Sequence, residues 1–121
     1  MTSSLDAQNI ESEGFEALQR LYEVALDSAG QSRIVATFLL GLYNSARFPF
    51  ELTELRALDD GLFEDCMLVL RMDARLTRQE VHQYFEEGGR KFEGLATRWE
   101  VPDAVELREL ARRASEHPFG R

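Results

Sequence analysis

The sequence predicts an all-α protein: a single-domain bundle of about four to five helices with an apolar central helix at about residues 33–44. Apolar residues recur at spacings of three and four along most of the chain, which is the period of an amphipathic helix. No segment alternates with the strand period, and the turn signals of hairpins are missing. The length of 121 residues suits one domain, and 44% hydrophobic residues can build its core.

A first helix is predicted after a flexible N-terminal tail. Residues 1–11 are mostly small and polar, with little to bury, so we place the tail there and the helical domain at residues 12–116. From Phe15 onward, apolar residues follow the spacings of a helix. Gly30 is placed to end this helix as a left-handed C-cap residue.

The second helix is predicted at residues 33 to about 44, with Ser32 as its N-cap. Nearly every side of this segment is apolar. A helix that is apolar all round belongs in the interior of a bundle, so we expect it to be the central element. The connection that follows contains Pro49, which disfavours helical geometry at Phe48.

The third helix is predicted to start at Asp59, which is a good N-cap residue. Asp60 and Glu64 follow in its first turns, where the helix dipole favours negative charge. The side that we expect to be buried contains Leu62, Phe63, Cys66, Met67, Leu70 and Val69.

A fourth helix is predicted from Thr77 to about Trp99. Thr77-Arg78-Gln79-Glu80 has the pattern of a capping box, in which Thr and Glu each satisfy the other's free backbone N–H. Gly88-Gly89 would normally interrupt a helix. The apolar phase nevertheless continues through the pair, so we predict one long helix in which Gly88 lets a neighbour approach closely.

A final helix is predicted from Pro102, because proline suits the first turn of a helix, where its missing N–H is not needed. His117-Pro118 ends this helix, and residues 117–121 form a C-terminal tail. The apolar face of the helix is modest and contains Ala104, Leu107, Leu110, Ala111 and Ala114.

The charge distribution argues against direct binding to nucleic acid. The chain carries 22 acidic and 14 basic residues, for a net charge of −8. Residues 1–74 contain 13 acids and five arginines, whereas residues 75–121 contain nine of each sign. A phosphate-binding surface needs clustered positive charge, and the acidic half would repel phosphates. The sequence offers only a small basic patch at Arg108, Arg112 and Arg113.

Three features predict a soluble, cytoplasmic protein that does not enter a membrane. Cys66 is the only cysteine, so no internal disulfide can form. The N-terminal residues have neither the basic start nor the apolar run of a signal peptide. The longest apolar stretch, residues 34–43, is about half the length that spans a bilayer.

No group of residues predicts catalysis, a metal site or a cofactor site, so we expect that the protein is not an enzyme. His82 and Glu86 lie one turn apart, a common surface pair, with no recognisable nucleophile beside them. Cys66 lies on an apolar stripe, where a thiol behaves as a small buried hydrophobe. The acids that begin at Asp59 lack the spacing of a calcium-binding loop.

Six residues are candidates for a protein interface. Arg33 starts an otherwise apolar helix, where a cation opposes the helix dipole. It could bind a partner's carboxylate or pair with an acid of the third helix, and we favour the internal pair. Tyr84 lies off the main apolar stripe, and aromatic residues are frequent anchors of interfaces. Four acids form either a functional surface or merely solvated helix starts: Glu51, Glu54, Asp60 and Glu64.

Two short blocks of the sequence form recognisable motifs. The first block is Gly-Gln-Ser-Arg-Ile-Val-Ala-Thr-Phe-Leu-Leu at residues 30–40, followed by Tyr43-Asn44. The second is Phe-Glu-Leu-Thr-Glu-Leu at residues 50–55, followed by Leu58-Asp59. These blocks resemble a family of small uncharacterised bacterial proteins found on integrative elements and plasmids. The resemblance supplies no activity and no site residues. It implies a bacterial cytoplasm and an accessory role on mobile DNA.

The leading functional hypothesis is a non-catalytic interaction domain that binds another protein through helix faces, with a second copy of the chain as one such partner. The alternative is an acidic inhibitor or anti-defence protein that occupies a basic groove of a nucleic-acid-binding complex. The two hypotheses differ in their salt dependence, because screening weakens charge-driven binding and leaves apolar binding in place.

Overall fold

A computed structural model describes residues 4–116, and this range is helical with no strand. The five α-helices are α1 (Ser4–Leu26), α2 (Ser32–Tyr43), α3 (Asp60–Arg71), α4 (Gly88–Arg98) and α5 (Ala104–Glu116). Short 3-10 helices at Leu52–Ala57 and Val81–Tyr84 and a π-helical turn at Met72–Leu76 lie in the connections. The predicted all-α single-domain bundle is therefore confirmed.

The core forms where α1, α2, α3 and α4 meet. α1 packs against both α2 and α3, and α2 packs against α4 and the 3-10 helix Val81–Tyr84. Burying a leucine side chain contributes about 2 kcal/mol relative to leaving it exposed, so this apolar centre dominates the stability. The largest fully buried side chains include Leu18, Leu21, Leu39, Leu40, Phe92 and Leu95.

The predicted central helix is confirmed as α2, but the role predicted for Ser32 is wrong. Val35, Leu39 and Leu40 of α2 are fully buried. The N-cap residue of α2 is Gln31, and Ser32 lies inside the helix with 0% exposure. The buried Ser32 hydroxyl has no hydrogen-bond partner among the described residues. Gly30 lies beyond the end of α1 and is not in the left-handed conformation predicted for it.

The predicted boundary of the N-terminal tail is also wrong, because α1 already begins at Ser4. Three contacts hold the N-terminal part of α1 to the bundle, and the first two are made by residues of the predicted tail. Ile10 packs against the core, Glu11 accepts a hydrogen bond of 3.1 Å from Arg78, and Gly14 lies against Met72. Residues 1–3 and the predicted C-terminal tail at 117–121 lie outside the described residues.

The long helix predicted from Thr77 to Trp99 is not formed. Thr77 has a φ of 50° in the left-handed region, and the capping box is made by Glu80 and Gln83 at the start of the 3-10 helix. The chain then turns, and α4 begins at Gly88. The predicted close approach at Gly88 does exist, since an added Cβ would lie 1.6 Å from the His82 carbonyl oxygen.

We expect Gly88→Ala to lower the free energy of unfolding by at least about 3 kcal/mol, because no rotamer change can relieve a clash with backbone. The matched control is Gly89→Ala, where an added Cβ meets nothing within 4 Å. This control should be neutral or stabilise by up to about 1 kcal/mol. Urea denaturation of both variants measures the difference, and equal effects would contradict the packing described here.

Ser32→Ala tests whether Ser32 is a buried side chain or a helix cap. We expect this substitution to raise the free energy of unfolding by about 1 kcal/mol, because it removes a buried hydroxyl that has no partner. Loss of an N-cap serine would instead lower it by about 1 kcal/mol. Thermal denaturation distinguishes the two signs, and a lower melting temperature would show that Ser32 caps α2.

Candidate interaction surface

α5 is fixed to the rest of the protein at its N-terminal end. Asp103 caps the helix, since its Oδ1 accepts hydrogen bonds of 3.0 Å from the backbone N–H groups of Val105 and Glu106. The backbone N–H of Ala104 donates to the carbonyl oxygen of Arg47 at 2.7 Å. Pro102, which the sequence places in the first turn, instead precedes the cap residue.

The Arg47 side chain connects the cap of α5 to the body of the bundle. Its Nε donates to Asp103 Oδ2 at 2.7 Å, and its Nη1 and Nη2 donate to the two carboxylate oxygens of Glu93 at 2.5 and 2.9 Å. The Tyr43 hydroxyl donates to the same carboxylate at 2.5 Å. The guanidinium also lies 4.7 Å from the centroid of the Phe48 ring. We call these residues, Tyr43, Arg47, Glu93 and Asp103, the Arg47 cluster.

The charges within the Arg47 cluster stabilise one another. Hydrogen bonding to Glu93, and then to Asp103, raises the pKa of Arg47. The Arg47 guanidinium lowers the pKa of Glu93, chiefly through its hydrogen bonds. The backbone N–H of Glu106, followed by Arg47, lowers the pKa of Asp103. All three groups are therefore charged at neutral pH, and the bidentate geometry is the strong form of an arginine–carboxylate pair.

Beyond this attachment, α5 leaves its apolar side chains in solvent. No residue of α5 is buried. On the predicted apolar face, Leu107 and Leu110 are 55% and 50% exposed. Val105, on the opposite side of the helix, is 42% exposed. The predicted apolar face of the last helix therefore exists, but the rest of the described chain does not cover it. An amphipathic helix with an uncovered apolar side is typical of a binding surface.

A cleft of about 480 Å³ lies beside the start of α5. Its apolar wall includes Phe50, Val101, Pro102 and Leu107, and Leu107 belongs to α5 itself. Three of the six predicted interface residues also line this cleft: Arg33, Glu51 and Glu54. The structure therefore places Arg33, Glu51 and Glu54 beside the start of the exposed helix α5.

The internal ion pair predicted for Arg33 is wrong. Arg33 is exposed and makes no ion pair with another described residue. The acid of α3 that does bind an arginine is Asp65, and its partner is Arg20 of α1, at 3.1 and 2.9 Å. Arg20 lies on the neighbouring helix, whereas Arg33 lies at the border of the cleft.

The other three predicted interface residues lie elsewhere. Tyr84 is half-buried, with its ring centroid 5.9 Å from that of Phe15 in a shallow groove against α1. Asp60 and Glu64 are exposed on α3. The structure thus separates the six candidates into a cleft group, one groove residue and two acids on the surface of α3.

The thiol of Cys66 and the ring of His82 both pack against other side chains. Cys66 is fully buried, and this burial raises the pKa of its thiol to about 12. The ring of His82 packs edge-on against Tyr43 at 5.0 Å. Between residues 4 and 116, no group of three or more acidic, histidine or cysteine side chains is placed to hold a metal ion.

Sequence reasoning missed the residues that position α5. Asp103 carried a detectable signal, because an aspartate directly before an amphipathic segment is a common N-cap. Arg47 and Glu93 carried none, since they are 46 residues apart and neither lies in a motif.

The fold and this surface define a small all-helical domain with a projecting amphipathic helix. The chain belongs to a family of unknown function, DUF7673, which it matches over residues 15–100. No curated protein and no solved structure matches it significantly. The matched region includes Arg47 and Glu93 and ends before α5 begins at Ala104.

Arg47→Ala should loosen α5 while leaving the core folded, because Arg47 contacts the cap and α4 but is not part of the apolar centre. We expect the free energy of unfolding to fall by about 1–2 kcal/mol. Amide exchange in α5 should accelerate more than exchange in α2. Arg90→Ala is the matched control, since Arg90 is highly exposed and makes only a long ion pair, of 3.8 Å, with Glu87. If the amides of α5 exchange at the same rate in both variants, Arg47 does not hold α5 in place.

Proposed function

We propose that the chain is a non-catalytic interaction domain that binds another protein through the apolar face of α5. The observation that supports this proposal is the exposure of Leu107 and Leu110, which share one face of a helix with no buried residue. Water contact with these side chains costs free energy, which a partner's apolar surface would recover on binding.

The length of α5 strengthens this proposal. A helix of 13 residues is near the lower limit for stability in water when nothing packs against it. The Asp103 cap and ion pairs within the helix support α5 locally, as Arg112 bonds to both Glu109 and Glu116. A partner that covers the apolar face would stabilise the helix further, so binding and helix formation would reinforce each other.

We further propose that the partner also contacts the cleft beside α5. Leu107 belongs to both features, so a segment lying on α5 can extend over Phe50 and Val101 without leaving the surface. Arg33, which has no ion pair within residues 4–116, and the acids Glu51 and Glu54 would then form a polar rim. Interfaces commonly combine an apolar centre with a polar border of this kind.

The setting that we propose is the bacterial cytoplasm, with an accessory role on mobile DNA as the resemblance implies. Among the described residues, no helix is both long enough and apolar enough to cross a membrane. Direct contact with nucleic acid is not part of this proposal, because the net charge of −8 would oppose it.

The second candidate function is an acidic inhibitor that occupies a basic groove. It is favoured by Glu51, Asp60 and Glu64, which are exposed and have no basic partner within the described part of the chain. Binding of this kind would weaken steeply as salt rises, whereas binding through α5 would not.

The test uses the tagged full-length chain to capture proteins from its native cells at about 0.1 M and about 1 M salt, over which range the screening length falls from about 10 Å to about 3 Å. We expect a partner that is retained at high salt and lost from the Leu107→Glu/Leu110→Glu variant. Leu26→Glu is the matched control, since Leu26 is 43% exposed and lies at the end of α1, away from the residues that line the cleft.

Loss of the captured partner at high salt, with no effect of the α5 substitutions, would reject the α5 surface in favour of the acidic inhibitor. Equal loss in the Leu26→Glu control would also reject it, because the loss would then not depend on the apolar face of α5.

A further inference from the structure

The charges of α5 differ from those of the rest of the chain. The helix contains three glutamates (Glu106, Glu109 and Glu116) and three arginines (Arg108, Arg112 and Arg113), so its net charge is 3 − 3 = 0. The whole chain has a net charge of −8. Two copies of an acidic protein repel each other, and the neutral α5 adds no net charge to this repulsion.

Glu106 and Arg113 lie on the same flank of the apolar face. They are seven residues apart, which is close to two helical turns, and Leu110 lies near the midpoint between them. If two such helices pack in antiparallel orientation about a two-fold axis beside Leu110, Glu106 of each copy faces Arg113 of the other. A two-fold interface requires a self-complementary surface, and this flank meets that requirement.

Glu106 and Arg113 are also only weakly engaged within the monomer. Arg112 already bonds to Glu109 and Glu116. Arg113 approaches only Glu109, at 3.9 Å, and the Glu106 side chain has no basic partner among the described residues. The pair is therefore available to a second molecule without breaking a strong bond in the first.

We propose that the partner of α5 is a second copy of this chain, held by antiparallel pairing of the two α5 helices. Leu107, Leu110, Ala111 and Ala114 form the apolar contact, and two reciprocal Glu106–Arg113 ion pairs set its direction. This inference rests on the proposed function, because it names the protein that the exposed face of α5 binds.

The size of this contact makes the dimer reversible. A helix of 13 residues is about 20 Å long. Contact along this length alone buries less than the about 800 Å² per partner that is usual for stable complexes. The small alanine side chains allow the helix axes to approach closely, but the assembly should still dissociate on dilution.

Charge-swap variants of the full chain, followed by sedimentation equilibrium, test the pairing. We expect the wild-type protein to show a concentration-dependent monomer–dimer equilibrium. Glu106→Arg and Arg113→Glu should each weaken self-association at least about tenfold, because each places like charges opposite one another twice. Circular dichroism verifies that both variants fold, and Glu23→Arg on α1 serves as the exposed charge control.

Two rescue experiments complete the test. An equimolar mixture of the Glu106→Arg and Arg113→Glu proteins should associate as the wild type does, because opposite charges then face each other across the pair. The doubly substituted Glu106→Arg/Arg113→Glu protein should also regain self-association. If neither the mixture nor the double variant associates more strongly than the single variants, the antiparallel pairing is wrong.

Different results overturn the self-association of the chain and the binding of another protein by α5. A wild-type protein that stays monomeric at millimolar concentration, yet loses a captured protein in the Leu107→Glu/Leu110→Glu variant, overturns self-association and leaves α5 as a surface for a different protein. A monomeric wild type whose captured proteins are unaffected by that variant overturns both proposals.

Discussion

The position of α5 depends on one residue, Arg47, through its side chain and its backbone carbonyl oxygen. Arg47 binds the carboxylate of Glu93 on α4 with two nitrogens and Asp103, the cap of α5, with the third. The guanidinium is planar and presents its donors in a fixed fork, so it can bind two carboxylates in a defined relative orientation, which the point charge of a lysine could not do. The direction in which α5 leaves the bundle follows from this geometry.

The helices that stabilise the fold are therefore not the helix that carries the proposed binding surface. The apolar centre is built by α1, α2, α3 and α4, and it lies within the part of the chain that matches the family. α5 contributes no buried residue and lies beyond that part. Substitutions on the exposed face of α5 are therefore expected to cost little folding free energy, whereas substitutions in the Arg47 cluster are expected to loosen the helix.

The fold class and the central helix could be predicted because the local spacing of apolar residues indicates both. That same signal failed between Thr77 and Trp99. The apolar phase continues there because the 3-10 helix Val81–Tyr84 and α4 both pack against α2, and not because they form one helix. The N-terminal residues were misassigned for the opposite reason. They are locally polar, but the bond from Arg78 to Glu11 is made over a separation of 67 residues.

The candidate site could be predicted only in part. The apolar face of α5 is visible in the sequence, since Leu107, Leu110 and Ala114 repeat with the helical period. Its exposure is not, because amphipathic helices usually bury this side. The grouping of Arg33 with Glu51 and Glu54, and the Arg47 cluster, depend on the paths of connections between helices. A single sequence carries no local signal for such contacts.

The described residues leave the apolar face of α5 uncovered in the monomer, and we propose that an assembly covers it. Hydrogen exchange of the wild-type protein, measured residue by residue in dilute and in concentrated solution, tests this most directly. We expect the amides of α5 to exchange at least about 100-fold faster than those of α2 at high dilution, and to slow on concentration while α2 is unchanged. Amides of α5 that are as protected as those of α2 in the dilute monomer would contradict the account, because the helix would then already be packed.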